Sequence, residues 1–333
     1  MPTALVTGAT GLVGTHTTQR LRRDGWAVRA LVRDAARARA LSDDGVTLAT
    51  GDTLDAASVA AAARGCDVVF HTAAAVTPSG GWEAFSRPNI EGTRNVIAAA
   101  AAAHARLVHV SSVAVYGSSG RYAKAGRKTD EDMPLAPLPE QAFYARSKRE
   151  SEALVLEAHA AGRLWATAVR PDVIYGTHDR QFVPRLARML RRLRFAPIIG
   201  GGRNTLAIVH AANVADGMVR AATIDAAGGR AYNLANDFDV TTRDFFRLAG
   251  EGLGISLHMA NIPFVVVRAA LGVASMVAGS RWRVAMDASL GFLTRDNPFT
   301  SERARRELGW NPVVRPEVGV PEAFQWTSRA PEP

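Results

Sequence analysis

The chain has 333 residues, 47% of them hydrophobic, and carries a formal net charge of +9. We expect a chain of this length and apolar content to fold around a full core, as one large domain or two smaller ones. The 40 basic residues are scattered and nearly all are arginine, which is not the clustered footprint of a nucleic-acid-binding protein. The single cysteine, Cys66, excludes an intramolecular disulfide, and a strand-like TALVTG begins at residue 3 instead of a signal peptide, so we expect a cytoplasmic protein.

Short apolar runs alternate with helical, alanine-rich stretches along the first half of the sequence. This alternation predicts an α/β fold of the Rossmann type, with a doubly wound parallel sheet and helices on both faces. The predicted strands are ALVTGA, AVRALVR, VTLATGD, DVVFHTA, RLVHVSS and LWATAVRP. Beyond residue 175 the pattern loosens, which indicates a smaller, mostly helical C-terminal substrate lobe. We therefore predict an NADP-binding domain over 1–175, with a returning strand or two from about 205–235, and a substrate lobe over 176–204 and 236–333.

The segment TGATGLVG directly follows the first predicted strand and opens the first predicted helix. Gly8 permits a tight turn, Gly11 lets the backbone approach a pyrophosphate, and Gly14 allows the helix to pack closely on the strand. The N-terminus of the helix adds backbone donors and the positive end of a dipole. A glycine triplet at this place predicts a dinucleotide-binding site.

The end of the second predicted strand bears on which dinucleotide is bound. An acidic residue there would accept hydrogen bonds from the adenosine ribose, but ALVRD places Val32 at that position, followed by Arg33. A guanidinium suits a 2′-phosphate, so NADP is favoured and NAD remains an alternative. A solvated arginine at a strand end is the less favoured alternative.

Lysine is rare in this chain, and one of its three lysines is Lys148 in the stretch FYARSKRE. Lys148 follows Tyr144 by four residues, the spacing that puts two side chains on one face of a helix. A cation held close to a phenol stabilises the phenolate and lowers its pKa, so this pair can build a general acid or base. Taken without the other motifs, the pair is better interpreted as a solvated lysine beside a half-buried tyrosine.

Several motifs in a consistent order make nearly the whole sequence resemble the extended short-chain dehydrogenase/reductase proteins. The matching segments are the glycine-rich turn, GDTLD, HTAAA, NIEGTRNV, VSSVAVYG, YARSK, VRPDVIYG and SERARRELGWNP. The resemblance implies that Ser112 holds the substrate oxygen, Tyr144 transfers a proton, and Lys148 lowers the tyrosine pKa and binds the nicotinamide ribose. With Tyr144 and Lys148, the predicted cofactor-binding residues are Gly8, Thr10, Gly11, Leu12, Val13, Gly14, Arg33, Asp52, Thr53, Ala73, Ala74, Asn89, Ser111, Pro171 and Val173.

Two positions depart from the sugar-nucleotide epimerases and dehydratases of that family. Those enzymes carry an Asn after the sixth strand and an Arg ahead of a VxDVA motif, where this sequence has Val173 and Leu206. Two polar contacts to a diphosphate have thus become apolar. The sequence therefore resembles the branch of 3β-hydroxysteroid dehydrogenases and dihydroflavonol reductases, and Ser112, Val173 and Leu206 are the predicted substrate residues.

The segment 255–279 is apolar, with Arg268 as its formal charge. Its length approaches that of a membrane span, but Pro263 and Arg268 argue against insertion. A buried helix pair of the substrate lobe is the favoured interpretation. An apolar cover over the active-site mouth and contact with a membrane surface are the alternatives.

We predict from these observations an NADP-dependent oxidoreductase that interconverts a ketone or aldehyde and an alcohol on a mainly apolar, steroid-, flavonoid- or aryl/alkyl-ketone-like molecule. A nucleotide-sugar epimerase or dehydratase is the second hypothesis. A non-catalytic dinucleotide sensor is the third, although a sensor would not need Ser112, Tyr144 and Lys148 together. No metal site is expected, because the sequence lacks a cysteine pair and a tight histidine cluster. The expected partner is a small apolar substrate, without nucleic acid or stable membrane insertion, and a homodimer remains open.

Overall fold

A parallel β-sheet forms the centre of the molecule. The computed structural model describes residues 1–76, 80–117, 127–235, 237–267 and 293–329. The strands in these residues are β1 Thr3–Thr7, β2 Ala27–Val32, β3 Thr47–Thr50, β4 Val68–His71, β5 Arg106–Val110, β6 Ala166–Pro171, β7 Val173–Tyr175, β8 Phe195–Ile199, β9 Ile208–His210, β10 Ala231–Leu234 and β11 His258–Ile262.

Seven of the described strands build the central sheet, in the order β10-β6-β5-β4-β1-β2-β3. All of its pairings are parallel. The six strands predicted from the sequence are β1 to β6, so the prediction of a doubly wound parallel sheet is confirmed. The chain runs outward from β1 to β2 and β3 and then returns to place β4 on the other side of β1. This reversal opens a crevice at the carboxyl ends of β1 and β4, where such sheets bind their ligands.

Helices cover both faces of this sheet. The helices in the described residues are α1 Leu12–Arg23, α2 Arg39–Asp43, α3 Ala56–Ala63, α4 Trp82–Ser86, α5 Gly92–Ala102, α6 Phe143–Ala160, α7 Phe182–Leu193, α8 Ala211–Thr223, α9 Thr242–Leu253, α10 Glu302–Leu308 and α11 Pro316–Trp326. Because side chains alternate along a strand, Val6 of β1 packs in the core beneath α1 and α8, whereas Leu5 packs in the core beneath α3, α5 and α6.

A third core lies in the C-terminal half of the chain, where α7, α9 and α11 bury Leu190, Phe245 and Phe324. Beside it, β8 pairs with β11 and β7 pairs with β9 in two short sheets. β10 returns to the central sheet next to β6. The predicted division into two domains stays a prediction.

The apolar segment 255–279 is described only as far as residue 267. Its described part contains β11 and the exposed side chains of Phe264, Val265 and Val266. Arg268 and the rest of the segment lie outside the described residues, so the interpretations given for it stay predictions. Within the part of the chain that is described, no helix combines the length and the apolar character needed to cross a bilayer.

Candidate active site

The glycine-rich turn joins β1 to α1 at the crevice in the sheet. Gly8 has a φ of +69°, and a Cβ at this residue would lie 2.7 Å from the backbone nitrogen of Ala73. A Cβ at Gly14 would lie 2.1 Å from the carbonyl oxygen of Gly8, so α1 begins directly against the turn. Gly11 is the N-cap residue of α1 and makes no side-chain cap. The first-turn N–H groups of α1 are therefore available to an anionic group.

A cavity of about 670 Å³ lies over this turn and the carboxyl ends of β4, β5 and β6. It extends to the start of α6 and the start of α7. The predicted site residues that line it are Gly8, Gly11, Leu12, Val13, Gly14, Ala74, Ser111, Ser112, Tyr144, Lys148, Pro171 and Val173. These residues come from segments as far apart as the first turn and β7, and the fold brings them to one space.

Besides Ala73 and Asn89, four predicted cofactor residues lie outside the described lining of this cavity: Thr10, Arg33, Asp52 and Thr53. Arg33 directly follows β2 and is exposed, while Asp52 and Thr53 follow β3. Thr10 borders a second cavity of about 490 Å³ along α1, which is also lined by Arg37. Their predicted contacts with the adenosine half of a cofactor stay predictions.

Asn89 and Ala73 contribute to the site through the loop that follows β4. The Asn89 side chain is buried, accepts a hydrogen bond from Ala75 N at 2.7 Å and donates to Ala75 O at 3.0 Å. It also donates to Ser147 Oγ on α6 at 2.9 Å. Asn89 therefore holds the loop against the helix that carries Tyr144, and Ala73 meets the glycine-rich turn through its backbone.

Leu206 is the predicted substrate residue that the structure does not bring to the cavity. Its side chain is 1% exposed and packs in the third core with Ile208 of β9 and Phe245 of α9. Leu206 N also donates to Val240 O at 2.8 Å, which ties this backbone to the segment ahead of α9. The prediction that Leu206 contacts the substrate is wrong, because this apolar side chain lies just before the buried strand β9 and packs in the core.

Ser112 and Tyr144 face the cavity and touch each other. Ser112 caps the short 3₁₀ helix Val113–Tyr116, and its Oγ accepts a hydrogen bond from Ala114 N at 3.1 Å. Burial raises the pKa of Tyr144, and a hydrogen bond with the Ser112 side chain partly offsets this rise. Tyr144 is thus held in its protonated form at neutral pH, the form that can donate a proton.

Lys148 is buried one helical turn beyond Tyr144. Its Nζ donates to Val110 O at the end of β5, at 2.5 Å. Burial lowers the pKa of Lys148 to about 8, and the nearby Glu152 carboxylate opposes that shift. The sequence predicted that Lys148 would lower the Tyr144 pKa, whereas in the structure burial is the dominant effect on the tyrosine.

An ion pair that the sequence did not reveal supports this helix. Glu152 and Arg170 make two hydrogen bonds, at 2.9 and 2.6 Å, and both side chains are almost fully buried. Arg170 Nη1 also donates to Tyr116 Oη at 2.7 Å. The sequence feature that could have indicated a role for Glu152 is its spacing. It follows Lys148 by four residues, as Lys148 follows Tyr144, which places all three on one face of α6. The pair joins the catalytic helix to the strand that leads into Pro171.

No group of three or more His, Cys, Asp or Glu side chains among the described residues is arranged to hold a metal ion. The uncapped helix N-terminus beside the Ser112, Tyr144 and Lys148 side chains is an arrangement that an α/β protein can use to bind a dinucleotide and to transfer a proton next to it.

Comparison with known proteins agrees with this class. Residues 4–235 match the NAD dependent epimerase/dehydratase family, and the chain belongs to that family. A ketoreductase of Stigmatella aurantiaca, named for 4-hydroxy-2-methyl-3-oxo-4-farnesyl-3,4-dihydroquinoline-1-oxide, is 35% identical over 95% of this chain and 93% of its own length. The human decarboxylating sterol-4-alpha-carboxylate 3-dehydrogenase is 28% identical over 96% of this chain and 87% of its own length.

Among solved structures, the UDP-glucuronic acid 4-epimerase of Bacillus cereus in complex with NAD superposes with a TM-score of 0.73. It is 18% identical, over 98% of this chain and 99% of that chain, so this likeness shows the fold. The family and the relatives together identify an NAD(P)-dependent oxidoreductase of the extended short-chain dehydrogenase/reductase type, on the 3β-hydroxysteroid dehydrogenase-like branch.

Proposed function

We propose that this chain is an NADPH-dependent reductase of ketones on mainly apolar small molecules. The observation that carries the proposal is the pair of Ser112 and Tyr144, in contact and facing a cavity that also reaches the glycine-rich turn. The Stigmatella and human relatives are named for a ketone and a 3-hydroxysterol position on multi-ring molecules, which supports the same substrate class.

The residues around the turn fit a dinucleotide. The N-terminus of α1 lacks a side-chain cap, and Ser111 Oγ at the cavity wall is buried without a hydrogen-bond partner among the described residues. The turn would hold the pyrophosphate, Lys148 and Tyr144 the nicotinamide ribose, and Pro171 and Val173 the nicotinamide. When bound, NADPH supplies the hydride.

The protein residues supply the proton and the orientation. Ser112 donates a hydrogen bond to the substrate carbonyl oxygen, which polarises the carbonyl and fixes its position. Tyr144 then donates its phenolic proton to the same oxygen as the alcohol forms. The raised pKa of Tyr144 suits reduction, because the tyrosine begins the reaction protonated. The buried Lys148 ammonium stabilises the phenolate that proton transfer leaves behind.

The rest of the cavity wall favours an apolar substrate. Val173 replaces a polar residue of the sugar-nucleotide enzymes and lines the cavity, partly exposed. Further apolar side chains on the described wall are Leu12, Val76, Val113, Ile174, Phe182 and Phe299. Substrate binding should therefore derive mainly from apolar area removed from water.

A homologous series of aryl or alkyl ketones tests this. Burial stabilises by about 25 cal/mol per Å², so each added methylene should raise kcat/KM roughly three- to fourfold until the cavity is full. The effect should depend little on salt, whereas binding of a nucleotide sugar through arginines should weaken as salt screens the charges. The measurement is NADPH consumption for the ketone series and for a UDP- or dTDP-sugar, each at low and high ionic strength. Turnover of the nucleotide sugar with none of any ketone would reject the proposal in favour of the epimerase or dehydratase alternative, and cofactor binding without turnover would favour a sensor.

The preference for NADPH depends on Arg33. A charge-assisted contact between Arg33 and the 2′-phosphate should be worth roughly ten- to a hundredfold in affinity. Arg33→Ala should therefore weaken NADPH binding by about this factor and change NADH binding little. A fluorescence titration with both cofactors measures this, and Arg64→Ala, which removes an exposed arginine ahead of β4 at the opposite end of the sheet, is the matched control. Equal affinity of the wild type for the two cofactors would exclude the assignment.

A further inference from the structure

The cavity wall carries a carboxyl group that the reaction described above does not use. Asp172 lies between the end of β6 and the start of β7, and it lines the cavity together with Ser112 and Tyr144. Its Oδ1 accepts a hydrogen bond from Val173 N at 2.8 Å. Its Oδ2 is buried and has no hydrogen-bond partner among the described residues. Buried polar atoms are nearly always paired, so an unpaired oxygen at a ligand cavity indicates a ligand partner.

Asp179 shows by contrast what a structural carboxyl looks like in the same wall. Both oxygens of Asp179 accept backbone hydrogen bonds at the start of α7, from Gln181 N at 2.7 Å, Phe182 N at 3.2 Å and Val183 N at 2.8 Å. Asp179 therefore caps that helix. Of the two acidic side chains on the described cavity wall, Asp172 is the one that has a carboxyl oxygen without a hydrogen-bond partner among the described residues.

The protonation state of Asp172 decides what that oxygen can bind. A carboxylate there would be buried and charged, with the Val173 N–H as its hydrogen-bond donor and no ion pair among the described residues. Burial raises the pKa of Asp172 to about 8, with the Val173 N–H opposing the shift. The group is then mostly neutral at pH 7, with Oδ1 accepting from Val173 N and Oδ2 carrying the proton. A protonated Oδ2 is a hydrogen-bond donor.

We propose that Asp172 selects the substrate: its carboxyl donates a hydrogen bond to a second oxygen acceptor, so the preferred substrates are ketones that carry another carbonyl or comparable oxygen. This inference rests on the proposed ketone reduction and narrows its substrate class. The terminal torsion of an aspartate is soft, so a rotation about Cβ–Cγ can turn the buried Oδ2 towards a molecule in the cavity. The reacting carbonyl would bind at Ser112 and Tyr144, and the second oxygen at Asp172.

Two variants at this position separate the chemistry from the shape. In Asp172→Asn, the amide oxygen can keep the bond from Val173 N, which leaves the NH₂ as a donor at the place of Oδ2. In Asp172→Leu, a side chain of similar size can neither donate nor accept. The substrates are pairs of a diketone and the monoketone with a methylene in place of the second carbonyl, with the two carbonyls at increasing separation along the series.

The measured quantity is the ratio of kcat/KM for the diketone to kcat/KM for the monoketone. The ratio for each variant is divided by the ratio for the wild type, because the different intrinsic reactivities of the two ketones then cancel. The wild type should prefer the diketone at one carbonyl separation. Asp172→Asn should keep this preference, and Asp172→Leu should reduce it by roughly five- to a hundredfold, the usual effect of losing a buried hydrogen-bond partner.

The following results would contradict the proposed role of Asp172 or the proposed function. Equal loss of the preference in Asp172→Asn and Asp172→Leu would show that an N–H donor at the place of Oδ2 does not support the preference, which overturns the donor role. A preference that persists in Asp172→Leu would show that Asp172 does not select the substrate. A loss shared by both ketones, with weaker NADPH binding, would assign Asp172 to the cofactor and overturn the inference. If the wild type reduces no ketone of any pair, the proposed function itself fails.

Discussion

Tyr144→Phe is expected to lower kcat for ketone reduction by roughly a hundred- to ten-thousandfold, the range over which general acids contribute. Phenylalanine keeps the buried ring and removes the hydroxyl that touches Ser112, so the change falls on the proton donor. Affinity for NADPH should change little, because most of the proposed cofactor contacts come from the turn and from Lys148. Steady-state kinetics with the preferred ketone, together with an NADPH titration, measure the two quantities separately.

Lys148→Met is the companion variant, and it should weaken both activity and NADPH binding. Methionine removes the ammonium that is proposed to hold the ribose and to stabilise the phenolate, while it fills a similar buried volume. Two different patterns are thus expected from neighbours on one helix face. A Tyr144→Phe enzyme that kept most of its activity would contradict the mechanism, whatever the behaviour of Lys148→Met.

Glu152→Gln is expected to lower the free energy of unfolding by about 3 kcal/mol or somewhat more, since it leaves Arg170 charged and buried without its partner. Both side chains are almost fully buried, at 7% and 5% exposure, so water cannot replace the lost carboxylate. The amide retains the shape of the side chain, which limits any contribution from an added cavity. Urea denaturation, followed by circular dichroism, measures the free energy of unfolding of the wild type and of Glu152→Gln. The two values are comparable when both proteins show the same dependence of that free energy on urea concentration.

Two controls show whether the effect belongs to the unpaired charge. Replacing both partners, as Glu152→Leu with Arg170→Met, should recover the part of the loss that comes from the unpaired Arg170 guanidinium, while the buried Lys148 still lacks the Glu152 carboxylate. Glu251→Gln breaks the exposed pair of Arg247 and Glu251 on α9, whose side chains are 49% and 52% exposed, and should cost less than about 1 kcal/mol. A loss in Glu152→Gln no larger than that in Glu251→Gln would show that the buried pair is not required for stability.

Features that depend on residues close together in the chain could be predicted before the fold was known. The apolar runs of β1 to β6 alternate with helices, and short apolar runs in that pattern are typical of the strands of a parallel sheet that helices cover on both faces. The turn at Gly8 and Gly14 is also local, since a Cβ at either residue would collide with backbone. The four-residue spacing of Tyr144 and Lys148 placed both on one side of α6 before any tertiary contact was known.

Contacts between residues far apart in the chain could not be predicted from the sequence, because they arise only when the chain folds. Leu206 looked like a substrate contact in the sequence, but packing around β9 and α9 buried it in the core. The fold also creates the contacts that pair Glu152 with Arg170 and Asn89 with Ser147. Burial in the folded chain raises the pKa of Tyr144. The unpaired Oδ2 of Asp172 belongs to the same group. Propensity and spacing act within one or two turns of chain, whereas burial and hydrogen-bond pairing are properties of the assembled structure.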